Sequence, residues 1–277
     1  MPAKQYTVLT TKDIIKMCFK SNLTGDYAFD PIVSELRPEF SRKLIGKVFD
    51  FCFEDGLKLS YEFGKNSVCM SKNSGEYREE YAEVLESSHE GVFLVHHMIT
   101  SVNPFEGINL IIDLNTNLVS LIYDTIGNYA MTRDVKRNFH FGWIDEKPGT
   151  LHYETEEIVH KVIDWKYADN AIIHTAYVNV ECVAFTSPPS PVIPGWDGFY
   201  PTFVPTRYTH IADDLVLTSM YAPYKSGLEV TMLMDLKKMK AVGCAFGFDA
   251  CDKFCSYTFG AKGAYAQMGF IGRYTVE

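Results

Sequence analysis

Glutamate and tyrosine alternate along one short segment, EYREEYAEVLE (76–86), in a pattern that could move protons. If the segment is a strand, Tyr77, Tyr81 and Leu85 share a face and carry Glu79 and Glu83 with them. The other register turns Ala82 and Val84 inward and brings Glu80. A carboxylate inside an apolar enclosure has its charged form disfavoured, so it is either a poised acid/base or the partner of a cation. The competing reading is an edge strand whose glutamates are solvated. Next along the chain stand His96 and His97. Adjacent residues of a strand face opposite sides, so one of the two points inward in any register and they cannot form a metal site by themselves. His97 is placed opposite Tyr61 and Tyr81, and the proposed catalytic set is Glu79, Glu83, Tyr81 and His97. The second half offers Tyr177, Tyr208 and His210 on inward positions with Thr175. Arg207 then points outward or to a rim, where it meets a ligand carboxylate or forms a salt bridge.

These residues need strands to position them. Aromatic residues make up 14% of the chain, with 17 Tyr and 19 Phe, and β-branched residues alternate with polar ones over long stretches. LKLSYEF (57–63) sets Leu57, Leu59, Tyr61 and Phe63 on one face, after a hairpin signal at Asp55-Gly56. VFLVHHMI (92–99), INLIIDL (108–114) and LVSLIYD (118–124) follow at short spacing. About eight strands fit between residues 46 and 143, the density of a barrel or sandwich. Residues 11–20 read as a helix capped by Thr10-Thr11. The pattern then repeats: 90–127 lines up with 213–248, pairing Asp113-Leu114 with Asp235-Leu236, and 46–63 lines up with 160–178. One all-β module of roughly a hundred residues is used twice. TSPPSPVIPGWDGFYPTFVPT (186–206), with six prolines, breaks the regularity and is expected to be a loop, with Trp196 over a barrel mouth.

Composition narrows the partners. The chain has 277 residues and a net charge of −9, without a Lys/Arg block. Nucleic acid and anionic membrane surfaces are therefore not expected partners. No apolar run reaches the roughly 20 residues of a bilayer helix. Seven scattered cysteines and no secretory h-region lead to the expectation of reduced thiols in a cytoplasmic protein. Cys251-x-x-x-Cys255 lacks the second pair of a zinc site, and phosphate-binding Gly-rich loops and Gly-x-Ser-x-Gly are missing from the sequence. Neither a metal nor an organic cofactor is expected. The expected partner is a small hydrophobic or aromatic molecule; the oligomeric state stays open, a homodimer included.

RYTHIADDLVLTSMYAPYKSGLEVTMLMDLKKMKAVGCAFGF (207–248) resembles the C-terminal module of the MoaF family, named for molybdenum-cofactor biosynthesis. The likeness lies in Ile-Ala-Asp-Asp-Leu, in Val-x-x-Leu/Met-Asp-Leu-x-x-Met, in the closing Gly-x-x-Phe-Gly, and in AYVN (176–179) upstream. EDGLKLSYEF and EYAEVLESSHEGVFLVHH resemble its N-terminal module. The resemblance spans roughly 44–250 and implies two tandem lipocalin-like (calycin) barrels, in agreement with the duplication. A more distant likeness runs to phenolic acid decarboxylases, single barrels that use paired tyrosines, an arginine and a glutamate. The expected chain is all-β, two antiparallel barrels at 44–145 and 151–277 behind an N-terminal helix and lead-in at 1–43. The function expected is a cofactor-free lyase, isomerase or cyclase on a small aromatic or enolisable substrate, with Tyr61, Tyr177, Arg207, Tyr208, His210 and Trp196 binding it. The alternative is a non-catalytic small-molecule-binding protein.

Overall fold

Alternating strands can bury their apolar face by closing a sheet on itself, and this chain does so twice. The computed structural model describes residues 35–102, 105–127, 135–145, 150–168, 171–187, 199–221, 227–248 and 254–266. The N-terminal helix expected at 11–20 lies outside them, as does Trp196, and no helix occurs among the described residues. The first barrel is β1 (Val48–Phe53), β2 (Lys58–Phe63), β3 (Ser67–Lys72), β4 (Arg78–Glu86), β5 (Val92–Ile99), β6 (Glu106–Asp113), β7 (Leu118–Ile126) and β8 (Val135–Ile144). Each strand pairs antiparallel with the next, and β8 closes on β1. After the short β9 (Tyr153–Glu154) come β10 (Val162–Ala168), β11 (Ala171–Asn179), β12 (Cys182–Ser187) and β13 (Phe199–Ala212). The chain continues through β14 (Leu215–Tyr221), β15 (Leu228–Asp235), β16 (Lys240–Phe248) and β17 (Phe254–Tyr265). The strands β10 to β17 form the second closed barrel through the β10–β17 and β12–β13 pairings, and β9 adds to β13.

The duplication is visible in backbone detail. Before each barrel a turn drops one aliphatic residue into the interior, Leu44 in the first and Ile158 in the second, and closes that end. Gly46 N donates to Phe63 O at 2.7 Å, and His160 N donates to Tyr177 O at 2.7 Å. Asp113 and Asp235 end β6 and β15 and cap the following turns with their carboxylates, accepting Asn115 N at 2.9 Å and Lys238 N at 2.7 Å. Each turn then passes through the left-handed region, at Asn117 (φ 57°) and Met239 (φ 51°).

Two expectations are corrected. The first concerns 186–206. Residues 199–206 are not loop but the first half of β13, with Cys182 opposite Pro205. Among the described residues that half pairs with β12 on one side, so a proline's missing N–H costs no ladder bond there. The second concerns β4. Val68 opposite Glu80 and His97 opposite Ala82 place Glu80, Ala82 and Val84 on the interior side. Glu79, Tyr81 and Glu83 therefore face outward. Leu85, read as an inward residue, instead belongs to a second apolar cluster that includes Leu94, Ile111 and Ile122 of the first barrel and Leu217, Leu233 and Val242 of the second.

That cluster shows how the barrels meet. The outer faces of β4–β8 pack on the outer faces of β14–β17, so β5 and β6 are buried on both sides. The contact is nearly self-matching. With Asp113 matched to Asp235, Asn109 corresponds to Thr231, and these two equivalents touch at 3.4 Å. Gly107 of β6 faces Phe246 of β16, where an added Cβ would come within 2.7 Å of the ring, so glycine is required by close approach.

Candidate functional site

The first barrel has one end closed by Leu44 and a polar opposite end. Inward positions near that end carry Lys72 on β3, Glu80 on β4, Glu106 on β6, Tyr123 on β7 and His140 on β8. Tyr123 is held by three of the others. Its hydroxyl donates to Glu106 and accepts from Lys72 Nζ at 3.2 Å, and the ammonium also lies 4.4 Å over its ring. The His140 ring meets Tyr123 edge-on and donates from Nδ1 to the Asp55 carboxylate at 2.6 Å. Burial and the adjacent Glu106 carboxylate push the Tyr123 hydroxyl far up, so it remains a donor at any ordinary pH. Lys72 is exposed and Glu106 half-buried, so solvent reaches this cluster.

Below it, Tyr61 and His97 form a second unit. The Tyr61 hydroxyl lies 2.7 Å from His97 Nε2, and His97 Nδ1 lies 3.3 Å from Met98 O. A carbonyl can only accept, so Nδ1 carries the proton and Nε2 accepts from the tyrosine. Burial pushes the His97 imidazole down to about 3 and the Tyr61 hydroxyl well up. Both groups are neutral, each satisfied by the other, as in a hydrogen-bonded core pair. Glu80, 1% exposed, accepts Thr100 Oγ1 at 2.7 Å and Thr100 N at 3.1 Å, and burial raises its carboxyl.

The residues singled out in the sequence are thus dispersed. Tyr61 and His97 meet as expected. Glu79 is exposed and accepts from Ser67 Oγ at 2.9 Å. Glu83 is buried, but between the barrels, where it accepts Thr258 Oγ1 at 2.6 Å, Thr258 N at 3.0 Å and the Tyr81 hydroxyl at 3.1 Å. An inward Glu79–Tyr81–Glu83 face with His97 does not exist, because the apolar partner of that face is the other barrel. In the second barrel Tyr177 and Tyr208 do meet, with ring centroids 5.8 Å apart, and Trp165 Nε1 donates to the Tyr177 hydroxyl at 2.9 Å. His210 stands at the rim, 2.6 Å from Glu157 and stacked on Tyr153. Arg207 forms the salt bridge, to Glu154, and lies over Phe139 of the first barrel at 4.5 Å.

Lys72, Glu106 and Tyr123 went unremarked in the sequence. Parity from Leu121 would have turned Tyr123 inward, but β7 is apolar on both faces and hides its parity. No group of three or more His, Cys, Asp or Glu residues suited to a metal ion occurs among the described residues. None of the helices that would be long and apolar enough to cross a membrane is found among them either. No family model matches the chain, and no curated protein matches it.

Proposed function

We propose that this chain binds a small aromatic molecule carrying an anionic or phenolic oxygen at the polar end of its first barrel. The observation that supports this reading is the Lys72–Tyr123–Glu106 cluster, the one place inside either barrel where a cation reachable from solvent adjoins an aromatic wall among the described residues. Lys72 would donate to the ligand oxygen, with Tyr123 and Phe53 beside its ring. The MoaF-like residues at 207–248 support a place for the chain near that family, and two barrels in tandem are what that resemblance implies. The binding reading is preferred to the catalytic one because Tyr61 and His97 are neutral and mutually satisfied, and because Glu79 and Glu83 face away from the interior.

A catalytic reading moves to the same cluster. Tyr123 would pass its proton to a substrate carbon, breaking its hydrogen bond to Glu106, and Lys72, already on the Tyr123 oxygen, would stabilise the tyrosinate left behind. The experiment is calorimetric titration of small phenolic acids and an anilinonaphthalene sulfonate dye into the full chain. Saturable binding that weakens in Lys72→Met and Tyr123→Phe is expected; binding untouched by both replacements overturns the assignment. Turnover of a bound phenolic acid, lost in Tyr123→Phe, would establish the catalytic reading.

A further inference from the structure

Between the barrels lies a buried polar cluster that the barrel-end site does not use. Asp124 of β7 and Glu229 of β15, both 0% exposed, receive the two hydrogens of one amide. Asn109 Nδ2 donates to Asp124 Oδ2 at 2.8 Å and to Glu229 Oε2 at 3.2 Å. The opposite orientation would set the amide oxygen against two carboxyl oxygens, so Asn109 Oδ1 instead accepts from His96 Nδ1 at 2.7 Å and from Cys244 Sγ at 3.1 Å. His96 Nε2 in turn accepts from Ser256 Oγ at 2.8 Å, which leaves that imidazole neutral.

The two carboxyls are served unequally. Glu229 Oε1 also accepts Ser219 Oγ at 2.7 Å and Thr231 Oγ1 at 2.6 Å, so it has three donors. Asp124 has one, and no described donor reaches its Oδ1. The charged and titratable groups around them are few. Arg137 of β8 donates to Ser219 Oγ at 3.0 Å and lies over the Tyr221 ring at 4.1 Å. His96 of β5 and Cys244 of β16 are neutral, the thiol pushed up by burial and the nearby carboxylates. Glu83 of β4 is taken by Thr258. Arg207 of β13, opposite Ser219, is committed to Glu154, so one partly exposed guanidinium, that of Arg137, faces two fully buried carboxyls. A single bound proton makes that set neutral; two bare carboxylates would leave an uncompensated buried charge.

We propose that Asp124 and Glu229 share one proton, held chiefly by Asp124, and that this proton latches the two barrels face to face. Burial raises both carboxyls, and the neighbouring Glu229 raises Asp124 further, which agrees with the charge count. The sign follows from linkage. An acid whose folded pKa is raised stabilises fully below its unfolded value, and that contribution is lost as the pH rises through the folded one. The latch therefore loosens toward alkaline pH.

Infrared difference spectroscopy and thermal melts of the full chain test this. At neutral pH the wild type should show the C=O stretch of a protonated, non-aqueous carboxylic acid. That band should vanish in Asp124→Asn and in Glu229→Gln, each of which removes the need for the proton, and persist in Glu83→Gln. The wild-type Tm should fall relative to that of Asp124→Asn as the pH rises from about 4, the unfolded value of such an acid, through the raised folded one. A wild type without the band, or a band unchanged in both single variants, overturns the proposal. If Asp124→Asn fails to fold, Glu229→Gln alone decides it by the same two readouts.

Discussion

The two barrels share strand order, closing turn and aspartate-capped hairpins, but their interiors have taken different courses. The first holds Lys72, Glu80, Glu106, His97 and two hydrogen-bonded tyrosines on inward positions. The second is filled at equivalent depth by Trp165, Tyr177, Tyr208, Met232 and Met234, with no charged side chain inward of its rim among the described residues. Its hydroxyls are spent on packing neighbours: Tyr177 donates to Met234 Sδ at 3.1 Å and Tyr167 to Met232 Sδ at 3.5 Å. The same backbone thus encloses polar and ionisable side chains in one copy and close-packed apolar and aromatic ones in the other. A duplicated fold needs only one copy to keep its interior reachable.

This contrast can be broken at several points. The largest effect should come from the packed copy. Trp165→Ala removes a fully buried indole and the hydrogen bond that its Nε1 donates to Tyr177, and should cost roughly 3–5 kcal/mol in urea unfolding. A loss below about 1 kcal/mol would mean that the second barrel is loosely filled and is a rival for the ligand. In the first barrel, Lys72→Met should weaken binding of a small aromatic anion roughly tenfold, with little change in Tm. Equal weakening by Tyr177→Phe would erase the distinction.

The His97 pair predicts an acid limb. The imidazole is held neutral, its pKa pushed down to about 3 by burial, whereas the unfolded chain takes up a proton near 6.5. The unfolded state binds more protons in that window, so stability is full above about pH 6.5 and is lost as the pH falls toward about 3. His97→Gln should flatten the fall of the urea midpoint between those values, and an unchanged slope would contradict the buried neutral assignment. Smallest of all, Glu79→Gln should shift stability by less than about 0.5 kcal/mol and leave binding untouched, since its carboxylate is exposed. A large effect on binding would return the site to the strand face that the sequence first suggests.

What the sequence makes legible depends on how many faces a strand buries. LKLSYEF alternates cleanly because its outer face meets water, and Leu59, Tyr61 and Phe63 are inward as read. Segment 78–86 misleads because its outward face is covered too over its second half: Glu83 and Leu85 face the other barrel and Ala82 faces the interior. Alternation then marks the presence of two environments without saying which is the barrel's own. Pro201 and Pro205 mislead for a related reason, since proline bars a central strand but not one paired on a single side. Asp124, by contrast, could have been noticed. An acid set within LVSLIYDTI, a strand with six apolar or aromatic residues of nine, is costly enough to imply a partner, although not which one.

The self-matching contact between the barrels has a consequence for symmetry. Two separate single-barrel chains meeting through this face would form a two-fold dimer, in which every contact occurs twice with identical residues. Here the equivalent of Asp124 is Phe246 and the equivalent of Glu229 is Gly107, and these two also face each other. The same geometric contact is therefore an acid pair on one side of the axis and an aromatic ring on a glycine on the other. A dimer of identical halves could hold only both acid pairs or neither. Joining the halves in one chain lets the interface keep a single proton and fill the mirrored position with carbon.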